Sequence, residues 1–348
     1  MRIAQVSPLY ESVPPKLYGG TERVVSFLTE ELVRAGHSVT LFASGDSITR
    51  AELVPACPRS LRLDQECGDC LLHHFLMLEE VFRQAANFDV VHFHTDYLHY
   101  PLFRRHGISG ITTLHGRLDL PELVPLYKEY GEMRLISISD AQRTPLPWLQ
   151  WLGTVYHGVP EDLFKLHEEP GEYLAFLGRI SPEKGVDRAI EIAKRADMPL
   201  RIAAKVDRAD REYFLTVIKP LLNDPRIEFV DEIGDAEKDE FLGNAYAMLF
   251  PIDWPEPFGL AMIESMACGT PVIAYNRGSV PEVMDEGVTG LVVNSVEEAI
   301  EALEKVPGIC RRRCRERFEK RFSARRMAED YLAAYERLQS AELVADAA

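Results

Sequence analysis

The chain has 348 residues, of which 46% are hydrophobic and 27% charged, an ordinary globular composition with material for two cores. Its formal net charge of −16 argues against general affinity for nucleic acid or anionic membranes, because both demand a positive field. The sequence contains no leader-like start and no apolar run of about 18 residues. It therefore predicts a cytoplasmic protein without an integral membrane segment.

Short apolar strands alternate with amphipathic helices along the whole chain. The first half runs RIAQVSP, a helix over 22–35, SVTLFAS, a helix over 76–84, DVVHFH, GITTLH, RLISIS and TVYHG. The second half runs YLAFLGR, a helix over 189–196, LRIAAKV, a helix over 211–222, IEFVDEI, a helix over 238–245, MLFPI, a helix after EPFG, PVIAY and GLVVN. This alternation predicts two doubly wound α/β units, each with a parallel sheet covered by helices.

Glycine and proline punctuate the chain at HGVP, which places the domain boundary after Gly158. The predicted domains are 1–158 and 159–322. A tail helix over 323–339 begins at the N-cap residue Ser323 and carries Met327, Tyr331 and Tyr335 at four-residue spacing. We expect this helix to pack against a domain through its one apolar face.

The densest cluster of signals is EPFGLAMIESMACGTPV. We interpret it as an active-site helix with Pro257 at its entrance and Gly269 at its end. Glu256 lies just before this helix and Glu264 inside it, so both can face one ligand held by the backbone N–H groups of the first turn. The alternative is a solvated Glu264, with Glu256 complementing the helix dipole.

Ligands of open α/β sheets bind beyond the carboxyl ends of strands, so the loops there are candidate sites. Gly19 and Gly20 follow the first strand and allow close approach of the backbone to a ligand, although GxGxxG is absent and a plain turn is the alternative. Arg179 and Lys184 share the loop GRISPEKG, where they can neutralise a diphosphate; a solvated basic loop is the alternative.

The histidines point to packing or to lining a site. His92 and His94 share one face of a strand, with Asp96 and His99 nearby, but no further ligand set completes a metal site. His115 ends a strand before a glycine and is a better candidate for a site role, unless it is a packed polar residue. Because the chain contains no Asp-x-Asp, we expect phosphate to be handled without a metal.

Two further segments have both an ordinary and a functional interpretation. Cys67 and Cys70 form a lone CxxC, which predicts surface-loop cysteines rather than a zinc or redox site. The basic run 311–326 predicts a solvated helix face, with weak contact to an anionic membrane surface or acceptor as the alternative.

Taken together, GGTERVV, GRISPEKG, EPFGLAMIE, SMACGTPVIA and RGSVPEVMDEGVTGLVV resemble a family 4 retaining glycosyltransferase with the GT-B fold. The resemblance covers nearly the whole chain, and its most specific part is the spacing of Glu256 and Glu264. It implies two Rossmann-like domains facing across a cleft. It also implies transfer of a hexose from a nucleoside diphosphate sugar to an acceptor hydroxyl, with retention and without cofactor or metal.

The resemblance also implies roles for individual residues. On the nucleotide side, Glu264 would bind the ribose, and Glu232 and Ile233 would lie near the base. The sugar and diphosphate would be held by Glu256, by the N–H groups of Phe258, Gly259 and Leu260, by Arg179 and Lys184, by the backbone at Gly19 and Gly20, and by His115 lining the sugar site. The tail helix would cross back onto the N-terminal domain.

Lys205 departs from the family pattern, in which a glycine-rich turn is common. We expect the acceptor, which the sequence does not identify, to be bound by 53–72 and 117–130. UDP and glucose are the default donor base and hexose of the family. The alternatives are a nucleotide-sugar epimerase of the same fold and a non-catalytic nucleotide-sugar binding protein.

Overall fold

The structure is a computed structural model that describes residues 1–62 and 64–346. The chain forms two compact units, each with its own sheet. Unit 1 contains residues 1–158 and the segment from Ala324 onward, and unit 2 is Val159–Ser323.

Unit 1 is built on a seven-stranded sheet in the order β3-β2-β1-β4-β5-β6-β7, and every pairing in it is parallel. The strands are β1 (Arg2–Val6), β2 (Ser38–Ser44), β3 (Glu52–Cys57), β4 (Val90–Phe93), β5 (Gly110–Thr113), β6 (Leu135–Ser137) and β7 (Trp151–Thr154). All four residues of β4 and all four of β5 are buried, as expected for central strands covered by helices on both faces.

The edge strand β3 corrects the prediction that 53–72 is an acceptor loop. Pro55 obscured this strand in the sequence, yet an edge position tolerates a proline because one side of the strand needs no ladder hydrogen bond. The other end of that segment is helical from Cys70 onward, while Leu63 lies outside the described residues.

The helices of unit 1 cover both faces of the sheet. They are α1 (Gly20–Arg34), α2 (Cys70–Gln84), α3 (Tyr100–His106), α4 (Leu123–Glu129) and α5 (Asp140–Arg143). Helix α2 begins six residues before its predicted start at 76, because Asp69 caps it by accepting a hydrogen bond from the N–H of Leu71. Cys70 is thus the first residue of a helix, and both Cys67 and Cys70 pack against the core rather than standing in an open loop.

Unit 2 contains a six-stranded parallel sheet in the order β10-β9-β8-β11-β12-β13. The strands are β8 (Tyr173–Arg179), β9 (Leu200–Lys205), β10 (Ile227–Phe229), β11 (Ala245–Phe250), β12 (Val272–Tyr275) and β13 (Gly290–Val293). Strand order reverses between β8 and β11, and in open α/β sheets ligands bind beyond the carboxyl ends of the strands at such a reversal.

The helices of unit 2 alternate with its strands. They are α6 (Val186–Arg195), α7 (Arg211–Tyr213), α8 (Lys219–Leu221), α9 (Asp235–Gly243), α10 (Leu260–Ala267), α11 (Val280–Val283), α12 (Val296–Leu303) and α13 (Arg311–Arg321), and a π-helical stretch Phe214–Ile218 joins α7 to α8. The prediction that Pro257 stands at the entrance of the active-site helix was wrong, since α10 begins at Leu260. Gly259, at φ +86°, sets that start, and Gly269, at φ +81°, follows its end.

The last helix, α14 (Ala324–Asp346), belongs to unit 1. Tyr331 and Tyr335 on this helix are fully buried. Their hydroxyls hydrogen-bond to Thr113 of β5 and to Gln5 of β1, respectively, so α14 closes over the sheet through polar contacts as well as apolar ones.

The basic run 311–326 is not simply a solvated face. The guanidinium of Arg311 is buried and donates to the carbonyl oxygens of His167, Gly243 and Ala245. Arg315 likewise donates to the carbonyl oxygens that end neighbouring segments of unit 2. These cations satisfy backbone acceptors inside the unit, which reduces the charge left for an external surface. Among residues 1–62 and 64–346, no helix combines the length and apolarity needed to cross a bilayer.

Candidate active site

Three loops meet at the carboxyl edge of the unit 2 sheet, because they follow the adjacent strands β8, β11 and β12. The N–H of Asp253, after β11, donates to the carbonyl of Glu183, after β8, at 2.8 Å. The N–H of Ser279, after β12, donates to the carbonyl of Glu256 at 2.9 Å. These backbone bonds fix the loops to one another, so the side chains they carry have defined positions.

Glu256 is held by two donors from different directions. The ammonium of Lys184 lies 2.5 Å from Oε2 of Glu256, and the indole N–H of Trp254 donates to the same oxygen at 2.8 Å. The side chains of Lys184 and Glu256 are only 15% and 9% exposed. Within the described part of the chain both donors act on Oε2, which leaves Oε1 as the oxygen for a ligand.

Aromatic rings surround the cation of this pair. The Lys184 ammonium lies 4.8 Å from the ring centroid of Trp254 and 5.9 Å from that of Phe250. Ring quadrupoles attract a cation in this range, and the effect grows when water is excluded. Lys184 therefore contacts aromatic rings as well as Glu256.

Glu264, on α10, is also paired with a lysine. Its Oε1 lies 2.7 Å from Nζ of Lys238 on α9, and both side chains are buried. Asp235, 3.5 Å from the same ammonium, is a second acidic neighbour. Oε2 of Glu264 has no hydrogen-bond partner among the described residues, so each glutamate has one oxygen bound by a lysine and one without a hydrogen bond there.

Arg179 ends β8 and lies among carboxylates. Its closest partner is Glu183, at 2.6 Å, while Asp210 and Asp207 are farther, at 3.6 and 3.8 Å. Burial raises the pKa of Asp210, with Arg179 opposing the rise and Glu183 and Asp207 adding to it. Arg179 is therefore partly neutralised by carboxylates.

Lys205 has a defined place beside Arg179. The two residues are paired in register at the ends of β8 and β9, and Nζ of Lys205 lies 2.7 Å from Asp207. Since Asp207 is closer to Lys205 than to Arg179, Lys205 competes for this carboxylate. The residue that departs from the family pattern thus leaves Arg179 less neutralised than it would otherwise be.

The start of α10 supplies backbone donors. Helix geometry leaves the first N–H groups without intrahelical acceptors, and these include the N–H of Leu260. The side chain of Phe258 is buried against Phe322, so only its backbone can face a ligand. A Cβ added to Gly259 would lie 2.6 Å from Met262, which together with its positive φ reserves the position for glycine.

The loop RGSVPE after β12 holds the Glu256 segment in place, a role that sequence reasoning missed. A Cβ on Gly278, at φ +53°, would lie 2.3 Å from the backbone nitrogen of Glu256. Ser279 donates through its hydroxyl to the carbonyl of Phe258 at 2.9 Å. The available signal in the sequence was Gly278 within the motif RGSVPE. Its neighbour in the fold, Glu256, is 22 residues away in the chain, so the sequence did not reveal the contact.

Glu232 and Ile233 follow β10 at the same edge of the sheet, two strands from β8, and both are half-buried. Asp231 before them adopts φ +59°, and its carbonyl accepts from the N–H of Ala204 at 2.9 Å. This bond fixes the turn that carries both residues.

Unit 1 carries the remaining predicted residues. Gly19 and Gly20 follow β1 and open α1, and Gly20 is exposed. A Cβ on Gly19 would lie 2.8 Å from Cβ of Pro15, so Gly19 is required for packing within the loop. His115 follows β5, and its Nε2 lies 2.8 Å from Nδ1 of His94.

Several histidines of unit 1 are packed and hydrogen-bonded in its interior. His92 contacts Tyr335 and Thr113 through its two ring nitrogens, at 2.8 and 2.7 Å. His99 contacts Thr112 at 2.8 Å. Burial holds the pKa of His92, with further lowering by His115 and His99, well below the ordinary histidine value. These groups are neutral hydrogen-bonding partners.

The structure thus joins Lys184 to Glu256 and gives Arg179 a separate set of partners. Glu232, Ile233, Phe258 and the two glutamates share the carboxyl edge of unit 2. Gly19, Gly20 and His115 belong to unit 1. Sequence reasoning did not foresee the polar contacts of Trp254, Lys238 and Ser279, or the close packing of Gly278 against the Glu256 backbone.

Two parallel-sheet units of this kind are the architecture of the GT-B glycosyltransferases. A glycosyltransferase involved in avilamycin A biosynthesis, AviGT4, superimposes with a TM-score of 0.74 over 97% of this chain and 98% of its own, at 23% identity. Sucrose-phosphate synthase from Thermosynechococcus elongatus does so with a TM-score of 0.78 over 98% and 99%, at 20% identity. The chain has the GT-B fold.

The sequence places the chain more narrowly. Residues 160–321 match the family described as glycosyl transferases group 1, and residues 18–157 match glycosyltransferase family 4. This chain belongs to the family 4 glycosyltransferases.

Its relatives include a D-inositol 3-phosphate glycosyltransferase from Saccharomonospora viridis, 27% identical over 96% of this chain and 93% of that protein. Other matches are local. The alpha-maltose-1-phosphate synthase of Mycobacterium tuberculosis is 30% identical over 139 residues, which are 38% of this chain and 36% of that protein. In such local matches the chain spans about a third of the relative's length.

Proposed function

We propose that this glycosyltransferase moves a hexose from a nucleoside diphosphate sugar to an acceptor hydroxyl with retention of anomeric configuration. The observation that carries the proposal is the pair of glutamates at the α10 entrance. Glu256 and Glu264 are each fixed by one lysine, and each keeps one carboxylate oxygen for a ligand. Carboxylate oxygens in this state accept hydrogen bonds from sugar hydroxyls, Glu264 from the ribose and Glu256 from the hexose.

The hard step is departure of the nucleoside diphosphate, during which negative charge grows on a phosphate oxygen. Arg179, Lys184 and the N–H groups at the start of α10 are the donors that would stabilise this charge. Each such preorganised donor is typically worth about 3 kcal/mol. Arg179 exchanges its carboxylate partners for phosphate, and Lys184 keeps Glu256 while turning a second N–H toward the diphosphate.

In the proposed mechanism the leaving phosphate accepts the proton of the acceptor hydroxyl on the face from which it departs. This assignment uses no metal, and the cationic side chains at the edge of the sheet, which include Arg179 and Lys184, would balance the phosphate charge. His115 lines the sugar site from unit 1, Gly19 and Gly20 bring the backbone to the phosphates, and Glu232 and Ile233 lie near the base. The acceptor is bound by unit 1.

UDP-glucose is the proposed donor. Structures of the Anabaena protein HepE, described as complexes with UDP and with UDP-glucose, share the fold of this chain, with a TM-score of 0.71 for the UDP-glucose complex at 16% identity over 98% of this chain and 100% of that one. The ligands of these complexes support UDP and glucose as the first choices to test. Weak peripheral contact through the exposed arginines of 311–326 is compatible with this function.

A thermal-shift panel of UDP, GDP, ADP and their glucose conjugates, without added metal, tests the donor. A ligand at about 100 times its dissociation constant adds roughly 2.7 kcal/mol and raises the melting temperature by several degrees. We expect a shift with the uridine compounds that is lost in Glu264→Gln and kept in Glu304→Gln, an exposed control. No shift with any nucleotide would contradict the proposed donor site.

Product analysis tests the reaction. Transfer to an added acceptor, with the anomeric configuration of the donor retained, is the expected result. Formation of an epimerised sugar nucleotide without acceptor would identify an epimerase instead. Donor binding with neither transfer nor slow hydrolysis would identify a non-catalytic binding protein.

A further inference from the structure

A continuous set of buried hydrogen bonds links His115 to the core of unit 1. Nε2 of His115 contacts Nδ1 of His94 at 2.8 Å, and Nε2 of His94 lies 2.8 Å from Oε1 of Gln5. The amide nitrogen of Gln5 donates to the hydroxyl of Tyr335 at 3.0 Å, and that hydroxyl is 2.8 Å from Nδ1 of His92. The members of this set come from β1, from β4 and the residue after it, from the segment after β5, and from α14.

The donors and acceptors of this set follow from the amide of Gln5. An amide oxygen only accepts, so Nε2 of His94 carries a proton and donates it to Gln5. In a neutral ring the other nitrogen then holds a lone pair, so Nδ1 of His94 accepts from Nε2–H of His115. By the same reasoning Nδ1 of His115 holds a lone pair.

Both rings are held neutral. Burial lowers the pKa of His115 to about 3. Burial, with further lowering by His92, His115 and His157, holds the pKa of His94 well below its ordinary value. His157 stacks on His115 with ring centroids 5.3 Å apart, and the positive charge of Arg326 acts on His157 in turn. None of these neighbours supplies a negative charge that would favour protonation.

Nδ1 of His115 is buried and has no hydrogen-bond partner among residues 1–62 and 64–340. A buried acceptor without a donor is rare and calls for an explanation. A hydroxyl of a bound substrate would satisfy this lone pair, whereas a group that accepts only would not.

We propose that Gln5, acting through His94, fixes His115 as the Nε2–H tautomer, so that His115 meets substrate as a hydrogen-bond acceptor at Nδ1. Gln5 and His94 are thus positioning residues, and His115 is a hydroxyl-selecting residue rather than a proton donor. The proposal rests on the proposed function only for the identity of the substrate, because the tautomer of His115 is set within unit 1 before any ligand binds.

Nitrogen-15 NMR of histidine-labelled wild-type protein, without substrate, tests the tautomer directly, with His115→Gln identifying the resonances. We expect His115 and His94 to be neutral at pH 7, each with a protonated Nε2 and an unprotonated Nδ1. A proton on Nδ1 of His115 would overturn the proposal. This measurement needs no turnover, so its result does not depend on whether the proposed reaction is correct.

Gln5→Glu tests the relay through its consequences for pH. A carboxylate beside Nε2 of His94 allows His94 to become protonated, and the cation then donates from Nδ1 to Nε2 of His115. His115 would be converted to the Nδ1–H tautomer and lose its acceptor. We expect kcat/KM of this variant to fall about tenfold from pH 8 to pH 6 relative to wild type, and the NMR pattern of His115 to reverse over the same range.

The matched control is Gln84→Glu, which adds the same charge on helix α2 outside the network. Its pH profile should follow that of the wild type. A folded Gln5→Glu protein whose profile and histidine resonances both match the wild type would overturn the proposal. If Gln5→Glu fails to fold, the wild-type tautomer still decides.

Discussion

The two units differ in how the polar side chains at their strand ends are paired. At the edge of unit 2 the groups are ionic and paired, Lys184 with Glu256 and Lys238 with Glu264. In unit 1 the corresponding strand ends hold neutral histidines linked to amide and hydroxyl groups. An ion pair depends mainly on the presence of both charges, whereas a neutral network depends on the direction of every hydrogen bond. Substitutions that change charge are therefore the sharper test of unit 2, and changes of pH are the sharper test of unit 1.

The largest expected effect is that of Lys184→Met. This change removes the ammonium and keeps an unbranched side chain one atom shorter, and among the described residues it leaves Glu256 with the indole of Trp254 as its side-chain donor. Loss of one preorganised donor in a buried site typically lowers kcat by about 100- to 1,000-fold. Steady-state kinetics with the donor found in the thermal-shift panel measures it.

Lys165→Met is the matched control, since Lys165 is an exposed lysine of the same unit. It should keep wild-type kinetics. Wild-type turnover in Lys184→Met would remove Lys184 from the transfer step and weaken the contrast between the two units.

Acidification should destabilise unit 1. The pKa of His115 is about 3 because of burial, against about 6.5 in an unfolded chain, so between these values the unfolded state binds the extra proton. The free energy of unfolding therefore has its full value above about pH 6.5. Below that pH it falls by about 1.4 kcal/mol per pH unit for each such histidine. His92 and His94, with pKa values lowered by burial, add to the slope.

Urea unfolding followed by tryptophan fluorescence at pH 7, 6 and 5 measures this slope. In a Trp254→Phe background the remaining tryptophans, Trp148 and Trp151, both report on unit 1. We expect a lower midpoint at each step down in pH. A midpoint that does not change between pH 7 and pH 5 would mean that the histidines are already protonated in the native state.

The smallest expected effect is that of Trp254→Phe on activity. Phenylalanine keeps a ring beside Lys184 and removes the indole N–H that donates to Glu256 at 2.8 Å. A hydrogen bond to a charged group is worth about 1.5 kcal/mol at the lower end of its range, which is roughly tenfold in kcat/KM. Trp148→Phe, in unit 1 and half exposed, is the control. Equal values for the two variants would show that Lys184 alone orients Glu256.

Much of this fold is readable from the sequence, because the central strands are continuous apolar runs and their helices end at glycines. The start of α10 was misjudged for a physical reason. Pro257 suits a helix entrance by its own φ, but Gly259 with φ +86° forces the chain to turn after it. Strand β3 was missed because Pro55 reads as a break, and only the sheet order reveals an edge.

The sequence indicated the site glutamates through their spacing, but not their partners. Lys184 and Glu256 are 72 positions apart, and no local pattern joins them. The run beginning at Arg311 was misjudged because a count of charges does not show which carbonyl groups a guanidinium will meet. Long-range pairing and hydrogen-bond direction are properties of the folded chain, so they required the structure.

The return of α14 to unit 1 has a consequence for biosynthesis. Unit 2 is an insertion within unit 1, and its first and last residues, Val159 and Ser323, pair with each other as a β-bridge. On the ribosome unit 2 is therefore complete while unit 1 still lacks Tyr331 and Tyr335, the side chains that fill its sheet face and satisfy Gln5 and Thr113. The half that is synthesised first is the half that finishes folding last, and its open sheet is the surface that a chaperone would have to shield.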